Sequence, residues 1–229
     1  MTLLFLDVET LPTTDPEVIA EIAATIKPPG TIKKQESIDA WMAENKESAV
    51  KEAVHKTGFS GLYGSIACIC YAFDDGEVFS VRVSDEISEK VMLESFYSHV
   101  FNSTGIDTHR GNVAGDLTVV GHNVIGFDLP FIKHRSIINK VKPSPQFIKA
   151  FDDKWGKDVK DTMIMWSPDK ERRASMDKLC KAFGIPGKGD FDGSMVAETW
   201  PVDPEKVIEY CRDDVRRTRE IYKRLTFQF

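Results

Sequence analysis

The chain has 229 residues, 41% of them hydrophobic and 29% charged, which suits one large globular domain and excludes wholesale disorder, a collagen-like repeat or a disulfide-stapled miniprotein. Lys and Arg number 30 against 36 acids, giving a net charge of −6. That balance argues against a protein that coats long duplexes, but leaves room for one that holds a short nucleic-acid end through metal ions. The longest apolar run, residues 66–73, is too short to cross a bilayer, and no basic leader opens the chain, so a cytoplasmic location without a membrane partner is expected.

In chain order, Thr2 to Val8 is a dense apolar run ending in acids, the pattern of a buried strand with functional residues near one end. Asp15 as N-cap and Pro16 at the first helical position predict a helix to about Ile26, stopped by Pro28-Pro29-Gly30. Residues 27–62 read as an insertion: a loop, a polar helix from about Ser37 to Val54, and a Gly58/Gly61/Gly64 stretch able to bend closely around a neighbour. Ser65–Phe73 and Glu77–Val83 flank Asp74-Asp75-Gly76, which is hairpin chemistry, and with the first strand they make an antiparallel three-stranded meander. Asp85 to Phe101 reads as a helix with Ile87, Val91, Phe96 and Val100 among its apolar positions. A strand over Leu117–Val120, a helix from Asp128 to about Asn139, a brief strand or turn at Val159 containing Asp161, a helix over Ser175–Phe183 and a closing helix over Pro204–Leu225 complete the pattern. Strands first, then alternating strands and helices, indicate a mixed-sheet α/β domain. The four cysteines (Cys68, Cys70, Cys180, Cys211) form no CxxC pair and read as reduced core thiols sooner than as zinc ligands or bridges.

The acids stand out through their neighbours. Period-two alternation puts Asp7 and Glu9 on one side of the first strand, where two like charges repel unless a cation lies between them. A bare DxE is also what two solvated acids at a strand end look like. Asp128, in Asn123-Val124-Ile125-Gly126-Phe127-Asp128, starts a helix, where N-capping would by itself justify an acid. In the last helix, i and i+4 spacing sets Tyr210 and Asp214 on one face, at the edge of the stripe formed by Val207, Cys211, Val215 and Leu225. Asp213 points elsewhere, as a solvated acid or a partner for Arg217.

Taken together, Asp7-Val8-Glu9, Asn123 to Phe127-Asp128, and Tyr210 to Asp214 resemble, in order, the three motifs of the DEDDy branch of the DnaQ-like 3′–5′ exonucleases. The similarity is greatest to stand-alone exonucleases related to the proofreading domain of family B DNA polymerases, phage members included. In these, a segment like Ser175 to Lys188 and Asp192-Gly193-Ser194 precedes the tyrosine helix. A histidine branch would place His at position 209, where this chain has Glu209.

The resemblance implies a ribonuclease-H-like fold, with an antiparallel three-stranded meander plus parallel strands flanked by helices. It implies a single exonuclease domain over 1–229, and hydrolysis of phosphodiesters at the 3′ end of single-stranded DNA. Two Mg²⁺ or Mn²⁺ ions, roughly 4 Å apart, would activate water and stabilise the leaving oxygen. By the same resemblance the metal ligands are Asp7, Glu9, Asp128 and Asp214, with Asp7 bridging. Tyr210 positions the attacking water, since a phenol with a reference pKa near 10 is a poor base at pH 7. Thr10 and Leu11 contact the terminal nucleotide, with simple strand-end packing equally open for Leu11. Phe127 offers a stacking face, whereas Phe131 reads as core. Asn123 touches sugar-phosphate or orders its loop, and Lys188 touches phosphate. Asp161 reads as a helix-capping acid or a support behind the site. Two alternatives stay open: an RNA exonuclease on the same site, and a nucleic-acid-binding module without catalysis. The length leaves no space for a polymerase, so a polymerase or a replication or recombination protein would be met in trans, in host cytoplasm for a phage-encoded chain.

Overall fold

The computed structural model describes residues 2–104, 117–153, 156–187 and 189–228. Along the chain run β1 (Thr2–Leu11), α1 (Pro16–Thr25), α2 (Gln35–Lys56), β2 (Ser65–Phe73), β3 (Val78–Arg82), α3 (Glu89–Ser103), β4 (Leu117–Gly121), α4 (Asp128–Ile138), α5 (Pro145–Phe151), β5 (Val159–Asp161), α6 (Thr162–Trp166), α7 (Met176–Phe183), α8 (Val196–Thr199) and α9 (Pro204–Leu225). The sheet order is β3-β2-β1-β4-β5. The first three strands pair antiparallel, β4 joins β1 in parallel, and β5 joins β4 in parallel, which is the mixed sheet expected.

The apolar run of β1 is needed because this central strand is covered on both faces. Leu4, Leu6 and Val8, opposite Phe73, Tyr71 and Ile69, face a core completed by Met92, Leu93, Phe96 and Val100 of α3, Leu129 and Ile132 of α4, and Phe147 of α5. Phe5, opposite Ala72, faces the other way with Cys68, Cys70 and Val120, beneath Ile208, Cys211, Val215 and Tyr222 of α9. Parity along β1 therefore sends Asp7 and Glu9 to the α9 face.

The long last helix forms where its caps dictate: Asp203 accepts a hydrogen bond from the Lys206 amide at 3.1 Å, and Pro204 opens the first turn. Asp15 likewise caps α1, accepting from Glu17 N–H at 2.9 Å. By contrast α1 and α2 bury no residue. They touch each other, and α2 runs into a short turn, residues 57–59, that lies against the end of β1.

Three expectations need correcting. The helix after the hairpin starts at Glu89, because Ser88 accepts from the Val91 amide and caps it. Ile87 thus precedes that helix, Val91 is exposed, and the buried stripe is Met92, Leu93, Phe96, Tyr97 and Val100. Position 128 is not an N-cap, since Phe127 occupies that place. The Pro-containing segment after Lys142 holds a further helix, α5, for which Pro145 supplies a favourable first residue.

Candidate active site

The carboxylates of Asp7 and Glu9 come within 4.8 Å of each other and of Cys211 Sγ on α9. A pairing irregularity falls between Glu9 and Thr10, where Glu9 lies opposite Cys68 but Thr10 opposite Ile66. Bulges of this kind re-aim side chains near functional sites. Here it turns the end of β1, and Thr10 Oγ1 donates to Gly58 O at 2.6 Å.

Asp128 arrives from the far side of the sheet. Its Oδ1 accepts the Val8 amide at 3.2 Å, which fixes it beside the strand that carries Asp7 and Glu9. Burial pushes its carboxyl up to about 7, reinforced by the negative charges of Asp161 and Asp214, although hydrogen bonds from its own amide and that of Val8 favour the charged form. Arg217, one turn on, holds Asp214 at 2.8 Å, pairs more loosely with Asp213 at 3.5 Å, and donates to the carbonyls of Pro186 and Gly187. Arg217 thereby ties the chain after α7 to the acid on α9. In the sequence it stood out only as a basic residue able to pair with Asp213.

Tyr210 and Asp214 lie deeper than the edge position expected for them, at 8% and 3% exposure. The Phe191 ring meets the Tyr210 ring edge-on at 5.0 Å and braces the phenol. Asp213 is half-exposed and pairs most closely with Arg216 at 2.6 Å, while Arg217, the partner the sequence suggested, lies at 3.5 Å.

The loop that carries Asp128 is held by Asp161. This buried carboxylate accepts the amides of Asn123 and Ile125 on one side, and those of Met163 and Ile164 at the start of α6 on the other. Both roles expected of Asp161 are thus filled at once. Asn123 takes a left-handed conformation with φ 65°, and its carbonyl accepts from Gly126 and Phe127, so this residue shapes the loop. His122 Nδ1 lies 2.9 Å from Thr162 Oγ1.

A cleft of about 270 Å³ opens beside these groups, lined by Glu9, Thr10, His55, Phe59, Phe127 and Ser194 among others. Thr10 and Phe127 thus line the same cleft as Glu9. Leu11 faces a neighbouring hollow with Pro12, Tyr63 and Arg135 instead, and Phe131 is buried in the core. Lys188 lies outside the described residues. His55 and Phe59 come from the segment in which the sequence showed no motif.

The donor set answers whether metal ions fit. All four acids offer hard oxygens of the kind that suit a divalent cation, three of them (Glu9, Asp128 and Asp214) are at most 9% exposed, and the Asp7 and Glu9 carboxylates are close enough to share one. No helix among the described residues is long and apolar enough to cross a membrane.

A five-stranded mixed sheet of this order, flanked by helices, is the ribonuclease-H-like arrangement. Residues 61–228 match the family described as predicted 3′–5′ exonuclease related to the exonuclease domain of PolB, and the chain belongs to that family. Asp7 and Glu9 lie outside the matched stretch. Among solved structures, the chain is similar to the family B DNA polymerase of the hyperthermophilic archaeon Pyrobaculum calidifontis, with a TM-score of 0.59 and 14% identity. That alignment covers 99% of this chain and 24% of the polymerase, so this chain spans about a quarter of it. No curated protein matches the chain.

Proposed function

We propose that the protein removes nucleotides from the 3′ end of single-stranded DNA by metal-assisted hydrolysis, with Asp7, Glu9, Asp128 and Asp214 as metal ligands. The observation that carries this is the Asp128–Val8 hydrogen bond: it draws the second-motif acid to the strand of the first-motif acids, while Asp214 bears on the same carboxylate. Exonuclease domains of this family generally depend on divalent metal. When bound, two Mg²⁺ or Mn²⁺ ions would supply an activated water and neutralise charge on the leaving oxygen.

The chain's own residues do the rest. Tyr210, braced by Phe191, orients the attacking water through its hydroxyl. Thr10 and Phe127 hold the terminal nucleotide in the adjoining cleft, where the aromatic face gives sequence-tolerant stacking worth about 1–3 kcal/mol per base. The cleft, at about 270 Å³, lies just below the range of ligand pockets, roughly 300–1,000 Å³, a size in keeping with a single terminal nucleotide. Leu11 guides the approaching strand from the neighbouring hollow, and Lys188 meets phosphate. Asn123 shapes the loop that presents Asp128. A polymerase or a replication or recombination protein acting in trans is a suitable partner.

The test is a time course on 3′-labelled and 5′-labelled strands with Mg²⁺, Mn²⁺ or chelator. Stepwise loss of mononucleotides from the 3′ end is expected, with single-stranded DNA preferred over duplex DNA and RNA, and with no reaction in chelator or in Asp7→Ala. Intact ends under every cation, or digestion that Asp7→Ala leaves unchanged, would overturn the proposal.

A further inference from the structure

All four cysteines are buried and unbridged, as their apolar settings suggested, but three of them cluster in a way the sequence did not indicate. Cys68 and Cys70, two residues apart on β2, point to the same face, and Cys211 of α9 is laid over them. The three Sγ atoms lie within 4.8 Å of one another, and all three residues are 0% exposed. Two of the thiols are tied to backbone: Cys211 Sγ is 3.5 Å from Asp7 O, and Cys70 Sγ is 3.7 Å from Ile208 O. The register then adds oxygen donors. Cys70 pairs with Asp7 and Cys68 with Glu9, and Cys211 Sγ lies within 4.8 Å of both carboxylates. Five potential ligands from two strands and one helix thus run together without a gap, sulfur on the inner side and oxygen on the outer.

We propose that Cys68, Cys70 and Cys211 form a second metal site, for a thiophilic divalent cation such as Zn²⁺ or Cd²⁺, with a carboxylate oxygen of the Asp7/Glu9 pair as fourth ligand. Tetrahedral zinc with Zn–S bonds near 2.3 Å needs sulfurs roughly 3.8 Å apart, a small rotation of side chains from the observed spacing. Donor softness separates the two sites: thiolates select Zn²⁺ and Cd²⁺, and the outer oxygens select Mg²⁺ and Mn²⁺. Binding is charge-balanced chemistry, in which each S–H gives its proton to solvent as its sulfur bonds the metal, with no change of oxidation state. Asp7 is only half-buried, so the cation has an entry from the acid side. Because the acid pair serves both sites, filling the inner one weakens the outer one. That antagonism rests on the exonuclease reading, whereas the thiolate site does not.

The experiment uses the reduced full-length protein, freed of metal and given one equivalent of Zn²⁺ or Cd²⁺ in excess Mg²⁺. Zinc X-ray absorption should show a shell dominated by sulfur near 2.3 Å, and Cd²⁺ should raise a thiolate charge-transfer band that saturates at one ion per chain. Cys70→Ser should weaken Cd²⁺ binding at least tenfold, and Cys180→Ser should leave it unchanged. Wild-type protein showing an all-oxygen zinc shell and no charge-transfer band would overturn the site without recourse to any variant. So would a band that survives in Cys70→Ser and vanishes in Cys180→Ser. Zn²⁺ should also suppress Mg²⁺-dependent strand digestion in the wild type, and less so in Cys70→Ser. A protein that binds Cd²⁺ as described but digests nothing would refute the exonuclease reading alone.

Discussion

At position 128 a single carboxylate is expected to couple stability to pH and, on the proposed reading, to metal. Its native pKa of about 7 lies above the ordinary 3.8, so between these values the folded protein holds a proton that the unfolded chain has released. The sign follows: without metal, stability is greatest at the acid end of this window and falls as pH rises toward 7. In chelator, the melting temperature should therefore drop between about pH 5 and pH 8, and Asp128→Asn should flatten the dependence. Adding Mg²⁺ at about pH 8 should restore much of the loss in the wild type and little in the variant. A melting profile independent of residue 128 would contradict this account.

Position 210 allows a second residue-scale comparison. If Tyr210 orients water and binds no metal, Tyr210→Phe should lower kcat by about 10–100-fold, the usual cost of losing a supporting hydrogen bond around a metal site. Asp7→Ala, which loses a ligand, should be far worse. Equal and complete loss in single-turnover assays of both variants would refute the division of roles.

At the scale of elements, the second-motif loop depends on β5 more than on its own sequence. Asp161 gives four amides a common acceptor, two in the loop and two at the head of α6. Asp161→Ala would strand them, at a cost of about 3 kcal/mol in stability and so roughly 10 °C in melting temperature. Activity should fall further than stability explains, because Asp128 loses its bearing on Val8. Circular dichroism melts beside kcat at a temperature where the variant is folded would separate the two effects.

Element limits were legible to different degrees. The ends of β2, α1 and α9 could be read because caps and hairpin residues mark them: Asp15, Asp74-Asp75-Gly76, Asp203 and Pro204 each act locally. The helix α5 was missed because Pro143 and Pro145 look like breakers, and only the following turn reveals that Pro145 begins a helix. The start of α3 was set too early because an apolar residue, Ile87, continues the pattern upstream of the cap that ends it.

Across the whole molecule, β1, α4 and α9 carry the four acids, while α1 and α2 have no buried residue. We propose that residues 27–62 are an insertion serving substrate more than folding, since α2 has no buried residue and yet carries His55 and leads to Phe59 in the cleft. Replacing residues 35–52 by a short flexible link should shift the melting temperature by no more than about 4 °C, on the order of 1 kcal/mol. KM for single-stranded substrate should rise while kcat changes little. Unfolding of the trimmed protein, or an unchanged KM, would count against that assignment.

The sequence by itself determined the local phase of each element, and therefore that Asp7 and Glu9 share a face, that Tyr210 and Asp214 share another, and in what order the acids occur. Periodicity and capping act over a few residues and can be read from them. Only tertiary structure decided which faces meet. Asp128 reaches Val8 across a separation of 120 residues, Arg217 grips the chain after α7, and three cysteines from β2 and α9 converge beneath the acid pair. Strand register and helix docking make those encounters, because what brings distant side chains together is burial of the apolar faces beside them.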